Sequence, residues 1–328
     1  MKFGIWLASF SYPRMDYKNS DLLRASAQKA EALGFDSLWV IDHLLHAPGL
    51  YGVSWLEPMS VLAHVAACTT RVKLGTGILV VPIRHPVLLA KEIATLDYLS
   101  KGRYIFGIGP GWYEREFEVM GTTIRDRGAR TDEIVEAVRR LLTEEHVSFH
   151  GRFFQFNDVT IEPLPPKMPE IWVAGGSRIP TELSPDRDYL APSVLRRIAK
   201  SDAFLVRNSG SHERVLQDLK KAREYVAQQG RDPKTLKLGC VQFLYIVETN
   251  NKEEALRRQR PHFEQTMGTH RTFEHLQESY FLGLIDGMCE RIEELRKAGA
   301  EYMVLGPVSE ELEQLDLIAK YILPKFKD

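Results

Sequence analysis

Apolar segments and amphipathic segments alternate along nearly the whole chain. Short apolar runs predict strands, which are residues 3–9, 37–41, 72–80, 104–111, 170–176, 203–207, 238–247 and 302–305. Segments with apolar positions three and four residues apart predict helices, which are residues 21–33, 57–68, 86–99, 130–142, 193–199, 212–228, 252–265, 286–298 and 310–323. Asp21 is the expected N-cap of the first helix. Eight strands alternating with helices predict a (β/α)₈ TIM barrel, with residues 1–328 forming one domain.

Three segments exceed what a minimal barrel needs. Residues 146–169 predict a β-hairpin and a proline-rich connector, residues 178–192 are rich in proline and acidic side chains, and residues 262–283 add helical material. Insertions in strand-to-helix loops shape substrate pockets, although residues 178–192 also suit a disordered surface loop. An open doubly wound sheet with a second domain is the alternative fold, and it would carry a GxGxxG motif after the first strand, which this sequence does not have.

Composition narrows the class of protein. The formal charge is −1 over 328 residues, which argues against a nucleic-acid surface. No apolar run is long enough to span a membrane, and the first strand begins without a signal sequence, so we expect a cytoplasmic protein. Cys68, Cys240 and Cys289 are far apart and suit neither a disulfide framework nor a zinc site, and we expect no metal.

Candidate chemistry gathers at the ends of four consecutive strands. Asp42 and His43 follow the second strand, at the edge where parallel α/β folds bind ligands, although a histidine there can also simply cap the strand. The next three strands carry glycine-rich sequences near their ends, which are Gly75-Thr76-Gly77, Gly107-Ile108-Gly109-Pro110-Gly111 and Ala174-Gly175-Gly176-Ser177. The last of these turns exposes backbone N–H groups that can hold an anion. Four such ends on one face predict a binding site.

With these strand ends in place, the chain resembles the bacterial-luciferase-like superfamily, and within it the oxidoreductases that use the deazaflavin coenzyme F420. The resemblance covers nearly the whole chain. It is carried, in order, by Asp42-His43, Leu74-Gly75-Thr76-Gly77-Ile78, His85-Pro86, the segment 94–103, the segment 107–117 that begins Gly107-Ile108-Gly109, and Trp172-Val173-Ala174-Gly175-Gly176-Ser177. The same pattern is less specific for the cofactor, because FMN-using monooxygenases of this fold look similar.

The resemblance implies that the cofactor ring lies across the carboxyl ends of the barrel strands. The positions that match the family's ring contacts are Asp42, Gly77, Ile78, Gly107 and Gly109. Those that match its phosphate and tail contacts are Ala174, Gly175, Gly176 and Ser177. It also implies a non-prolyl cis peptide between Gly77 and Ile78, and a homodimer.

We therefore expect hydride transfer between coenzyme F420 and a small organic substrate. His43 is the candidate acid or base, because the ordinary pKa of histidine suits proton transfer near neutral pH, and Asp42 would orient it or contact the ring edge. One alternative is an FMN-dependent two-component monooxygenase supplied by a separate flavin reductase. Another is a non-catalytic flavin-binding protein. An unrelated barrel hydrolase or aldolase would need a metal cluster or a strand-end lysine, and neither is found.

Trp112 is the main departure from the family pattern. The family's sugar-phosphate dehydrogenases carry a glutamate at the matching position, so the resemblance makes oxidation of a sugar phosphate an unexpected activity here. Glu114 or Glu116 lies close enough in sequence to replace it, although acids that open a helix are also explained by the helix dipole. Trp6, Trp55 and Trp112 near the pocket mouth favour a more apolar substrate, unless they serve only packing.

Overall fold

Eight parallel strands close into a barrel in the computed structural model, which describes residues 1–11, 17–47, 51–177, 190–207 and 210–326. The strands are β1 (Lys2–Trp6), β2 (Ser37–Val40), β3 (Lys73–Thr76), β4 (Tyr104–Gly109), β5 (Glu170–Gly175), β6 (Ala203–Val206), β7 (Lys237–Leu244) and β8 (Tyr302–Pro307). Each strand pairs with its sequence neighbour, and β8 pairs with β1 to close the ring. The predicted (β/α)₈ barrel is confirmed.

Helices surround the barrel and cover its outer surface. They are α1 (Lys18–Ala32), α2 (Pro58–Cys68), α3 (Pro86–Ser100), α4 (Glu114–Val119), α5 (Arg127–Leu141), α6 (Pro192–Ile198), α7 (His212–Gln228), α8 (Lys252–Met267), α9 (Phe273–Ser279), α10 (Ile285–Lys297), α11 (Glu313–Tyr321) and α12 (Leu323–Phe326). Alternate strand residues face these helices and form the main hydrophobic core. No helix of the described segments is long and apolar enough to cross a membrane.

Two tryptophans fill the barrel interior. Trp39 and Trp172 are fully buried, with ring centroids 5.2 Å apart, and their indole N–H groups donate to Ser37 Oγ and Glu170 Oε2. Glycines on nearby strands leave room for the two indole rings. A Cβ atom on Gly4 or Gly75 would overlap the ring of Trp39, and one on Gly239 would overlap the ring of Trp172. Such large-to-small pairing packs the interior solidly and leaves the carboxyl edge for a ligand.

The third predicted strand is interrupted. The pairing of β3 stops at Thr76, and a two-residue strand, Leu79–Val80, then pairs with β4. The peptide bond between Gly77 and Ile78 is cis, as the family resemblance implies. The single strand predicted over residues 72–80 was therefore too long.

Other differences concern element ends and small additions. Helix α1 begins before Asp21, so the predicted N-cap was wrong and Tyr17 takes that position. The segment predicted as one helix over 310–323 forms α11 and α12. A short antiparallel pair, Phe10–Ser11 with Ser54–Trp55, was not predicted.

The predicted insertions have different outcomes. The β-hairpin is confirmed by the antiparallel pairing of Val147–His150 with Gln155–Val159. The added helical material of residues 262–283 is the end of α8 and the whole of α9. Most of the segment 178–192 lies outside the described residues.

Candidate active site

His43 lies directly after β2, where it is held by an acidic side chain from another part of the chain. Its Nδ1 is 3.1 Å from Oε1 of Glu116, on the short helix α4. The same carboxylate oxygen accepts the backbone N–H groups of Leu44 at 2.8 Å and Leu45 at 3.3 Å. Glu116 is only 1% exposed. The histidine is thus fixed between its own loop and α4.

This contact determines which ring nitrogen of His43 carries the proton. An ionised carboxylate only accepts hydrogen bonds, so Nδ1 must be the donor towards Glu116. In the neutral imidazole, Nε2 then carries the lone pair, and it has no hydrogen-bond partner among the described residues. Nε2 is the atom of this site that is available to take a proton from a ligand.

Aromatic rings surround the imidazole of His43. The ring centroid of Trp55 is 4.9 Å away, that of Tyr51 is 5.3 Å away and that of Trp112 is 5.8 Å away. Trp112 is 44% exposed and stands between this cluster and solvent. Burial raises the pKa of Tyr51 to about 12, so its phenol stays neutral at physiological pH. These three rings and the imidazole form an apolar cluster around one basic nitrogen, and we call it the aromatic recess.

Asp42 does not orient its neighbour. Its carboxylate accepts the backbone N–H of Val80 at 2.8 Å and a guanidinium N–H of Arg84 at 3.0 Å. Arg84 also lies 3.6 Å from Glu57, the N-cap of α2. Asp42 therefore ties the segment after β3 to the end of β2, and the orienting role expected of it belongs to Glu116.

The strand-end glycines are explained by close contacts inside the protein. A Cβ atom on Gly107 would overlap the carbonyl oxygen of Thr76, and one on Gly109 would lie 2.6 Å from Cδ1 of Ile78. A Cβ atom on Gly77 would lie 2.8 Å from the indole nitrogen of Trp6. These glycines let β3 and β4 approach each other at the edge where the candidate ring contacts are gathered.

The turn after β5 has a different character. The backbone N–H and the hydroxyl of Ser177 donate to the two carboxylate oxygens of Asp218, at 2.5 Å and 2.8 Å. Asp218 lies on α7 and is 1% exposed, and burial raises its pKa despite these hydrogen bonds. Gly176 has φ of +132°, a conformation that favours glycine. An acidic side chain thus occupies donors that the sequence assigned to a phosphate.

The sequence analysis left two roles open for Glu116, a replacement acid or a partner of the helix dipole, and gave none to Asp218. The carboxylate of Glu116 is buried and contacts His43, so the helix dipole alone does not explain this residue. The helix pattern could have identified Asp218, because this acid shares the apolar, buried face of α7 with Val215, Leu219 and Ala222. An acid on a buried face needs a partner.

A cavity of about 590 Å³ opens at the opposite, amino-terminal edge of the barrel. Lysine side chains with nearby acids line it, and Lys237 is paired with Glu170 at 2.6 Å. Because the catalytic groups of such barrels lie at the carboxyl edge, we do not place the active site there.

Comparison with known proteins shows which proteins this chain is similar to. The family model described as luciferase-like monooxygenase matches residues 1–186. The chain is 31% identical over 164 residues to the alkanal monooxygenase alpha chain of the Kryptophanaron alfredi symbiont, covering 50% of this chain and 45% of that protein. It is 38% identical over 161 residues to the F420-dependent glucose-6-phosphate dehydrogenase of Kineococcus radiotolerans, covering 46% of this chain and 45% of that protein.

A solved structure extends the likeness to the whole fold. An F420-dependent secondary alcohol dehydrogenase in complex with an F420-acetone adduct superimposes with a TM-score of 0.80 at 19% identity, over 100% of this chain and 99% of that one. At that identity the match shows the fold alone. The sequence matches, by contrast, span less than half the length of the two curated relatives.

Proposed function

The chain belongs to the luciferase-like monooxygenase family, and we propose that it is an oxidoreductase that transfers a hydride between coenzyme F420 and a small organic substrate. The observation that carries the proposal is His43, held by the buried Glu116 with Nε2 left for a ligand, in an aromatic recess at the carboxyl edge of the barrel. Oxidising an alcohol or reducing a carbonyl by hydride transfer requires a proton to move at the substrate oxygen, and this geometry provides the group to move it.

The carboxyl edge of the barrel fits a flat ring system. The indole N–H of Trp6 is buried there without an acceptor among the described residues, and it lies next to Gly77. A buried donor without a partner is costly, and a ring carbonyl or ring nitrogen would satisfy it. Asp42, Gly77, Ile78, Gly107 and Gly109 remain the candidate ring contacts.

The turn after β5 is less well suited to the phosphate of the cofactor than the barrel edge is to its ring. Ala174, Gly175 and Gly176 remain candidate contacts for the phosphate and tail. Ser177 also remains a candidate, but its two donors face Asp218, so a phosphate would have to share them with a carboxyl group or displace it. Arg207 follows β6 beside this turn, and its charge attracts the Asp218 carboxylate, which offsets part of the rise in pKa that burial causes. A positive charge is therefore present at the turn.

In the proposed reaction the bound cofactor supplies or accepts the hydride. His43 Nε2 takes the proton of a substrate hydroxyl in the oxidising direction, or returns one to a carbonyl oxygen in the reducing direction. Glu116 stabilises the imidazolium that forms and keeps the ring from turning. Tyr51, Trp55 and Trp112 position the apolar part of the substrate and exclude water.

A flavin monooxygenase is the second candidate, and the likeness to an alkanal monooxygenase alpha chain supports it. In that case the cofactor is FMN and a separate flavin reductase is the partner. The stronger identity to an F420-dependent dehydrogenase, together with a histidine poised for proton transfer, favours F420. A barrel that binds a flavin without catalysis is the third candidate.

Cofactor titration separates these candidates. The purified protein is titrated with F420 and with reduced and oxidised FMN, and we expect submicromolar affinity for F420 alone. Tight binding of FMN alone would select the monooxygenase, and tight binding of F420 with no turnover over a broad panel of alcohols and carbonyls would select the binding protein. We also propose that residues 1–328 form one domain, which should unfold in a single thermal transition. We further propose a homodimer, which light scattering of the purified protein tests.

A further inference from the structure

The insertion between β7 and β8 contains an arginine that has no acidic partner in the described part of the chain. Arg271 lies between α8 and α9, and its Nη1 donates to the hydroxyl of Tyr280 at 2.7 Å. The guanidinium also lies over the Tyr280 ring, 5.5 Å from its centroid. Among the described residues, its buried Nε has no hydrogen-bond partner and no carboxylate pairs with the guanidinium. Within these segments, the Tyr280 phenol is therefore the side chain that accepts a hydrogen bond from this cation.

Arg103, which is buried, shows what a purely structural arginine looks like in this protein. The guanidinium of Arg103 is enclosed by acceptors and donates to Ser100 O, Thr69 Oγ1, Thr69 O, Val72 O and Ala66 O, at distances of 2.7 to 3.1 Å. Buried charges normally require such partners, because the loss of hydration is otherwise uncompensated. Arg271 is half-buried, and among the described residues it donates only to the Tyr280 hydroxyl, so a ligand can supply the acceptors that its other N–H groups lack.

Arg271 is on the His43 side of the molecule. Tyr280, which accepts a hydrogen bond from Arg271, has its ring centroid 5.6 Å from that of Phe243, and the Phe243 ring lies 4.5 Å from that of Trp6 at the end of β1. The positive charge of Arg271 also acts on the hydroxyl of Tyr51. The ring of Tyr51 in turn lies 5.3 Å from that of His43 and 6.1 Å from that of Trp112. The aromatic recess thus has a base at one end and, at the other, a cation that no described carboxylate pairs with.

We infer that Arg271 binds a carboxylate of the substrate, assisted by the hydroxyls of Tyr51 and Tyr280, so that the substrate class is a small organic acid with an apolar body. This inference rests on the proposed function, because it takes the recess beside His43 as the substrate site. The planar guanidinium has unused N–H groups that match the two oxygens of a carboxylate. The aromatic walls suit an aryl or alkyl group next to it.

The charge count favours a carboxylate over a phosphate. Arg271 supplies one positive charge, and it acts on Tyr51, Tyr280, His270 and His275. Burial, and then the charge of Arg271, lower the pKa of both histidines, so neither readily adds a second cation. A carboxylate carries one negative charge, whereas a phosphate monoester carries nearly two at neutral pH and needs further donors or cations. The phosphate of the proposed cofactor has its own candidate region at the turn after β5.

The test measures anion binding without turnover. The purified protein, with and without added F420, is titrated with benzoate, phenylacetate and butyrate, and tryptophan fluorescence is followed because Trp55 and Trp112 border the recess. We expect saturable binding that weakens roughly 10- to 100-fold in Arg271→Met and only partly in Arg271→Lys, the scale of a hydrogen bond to a charged group. Benzyl alcohol, which is neutral, should bind equally well to all variants, and inorganic phosphate should not compete with benzoate.

Arg260→Met is the matched control. Arg260 lies on α8, covers the ring of Phe273 at 5.1 Å and is paired with Glu264 at 2.7 Å, so this change removes a charge nearby without touching the recess. It should leave benzoate binding unchanged. We also expect Arg271→Met to unfold at the same temperature as the parent or higher, because an uncompensated buried charge is removed.

Equal benzoate affinity in the parent, Arg271→Met and Arg271→Gln would overturn the inference. The absence of binding for all three acids, or competition between phosphate and benzoate, would also overturn it. The same holds if Arg271→Met lowers the unfolding temperature and Arg271→Lys restores that temperature but not the binding, because this pattern is expected of a purely structural arginine. These outcomes leave the F420 titration unaffected. Failure of the proposed function instead appears as no affinity for F420 while the organic acids still bind.

Discussion

The loops after β2 and β5 were predicted by the same kind of signal, yet the structure completes them in opposite ways. In the first, Glu116 takes one nitrogen of His43 and leaves the other for a ligand. In the second, Asp218 takes both donors of Ser177. Each loop is completed by a buried acid from a distant helix. One acid prepares its partner for chemistry, and the other competes with the ligand expected there.

The difference shows what a strand-end motif can establish. Its position tells where a ligand can bind, because all carboxyl ends meet at one edge. Whether the groups there are available depends on side chains far away in the sequence. Variants of the two acids therefore test the comparison directly, and their effects should differ in sign.

Replacement of His43 should have the largest effect. We expect His43→Ala to lower turnover ~10²- to 10⁴-fold, the usual contribution of a general acid or base, with F420 affinity retained. Steady-state kinetics and cofactor titration measure the two quantities. Turnover equal to that of the parent would remove His43 from the mechanism.

Replacement of Glu116 should have the next largest effect. Glu116→Gln keeps the size of the side chain but removes the charge that stabilises the imidazolium, and we expect turnover to fall ~10- to 100-fold. The pH profile of kcat/KM should shift as well, which a purely structural loss would not produce. Glu114→Gln is the matched control, because Glu114 is exposed on the same helix. An equal loss in both variants would contradict the role of Glu116.

Replacement of Asp218 should have the opposite sign. Asp218→Asn removes a negative charge from the turn, so F420 affinity should rise about 3- to 10-fold, the scale of one partly screened charge. Because burial raises the pKa of Asp218, its carboxyl group is protonated more readily, and parent affinity should increase as pH falls while the variant responds less. Titrations at several pH values test this, with Glu213→Gln on the same helix as control. Weaker binding by Asp218→Asn would mean that Asp218 shapes the turn for the ligand.

Replacement of Tyr51 should have the smallest effect. With its pKa raised to about 12, the phenol does not titrate in the working range, so Tyr51→Phe should leave the pH profile unchanged. Loss of one neutral hydrogen bond to the ligand should raise KM only ~2- to 10-fold. A displaced pH profile would show that Tyr51 takes part in proton transfer.

Local sequence patterns predicted the barrel and the position of His43 well. An apolar run such as residues 37–41 is decided by near neighbours, and strand order follows from the alternation with helices. Glu116 and Asp218 could not be paired with their partners in the same way, because 73 and 41 residues separate them. The end of β3 at Thr76 was also missed, since the close approach of Ile78 to Gly109 is a contact between strands.

The indole pair of Trp39 and Trp172 gives the barrel an internal spectroscopic standard. Two rings 5.2 Å apart and fixed at an interplanar angle of 54° should couple electronically, and this coupling adds to the near-ultraviolet circular dichroism a contribution that originates in the barrel interior. Trp55 and Trp112, at the rim, respond to ligands through fluorescence. The fold and the site of each variant can thus be checked with two spectra of the same sample. Near-ultraviolet circular dichroism tests whether the barrel interior is intact, and tryptophan emission tests whether the site has changed.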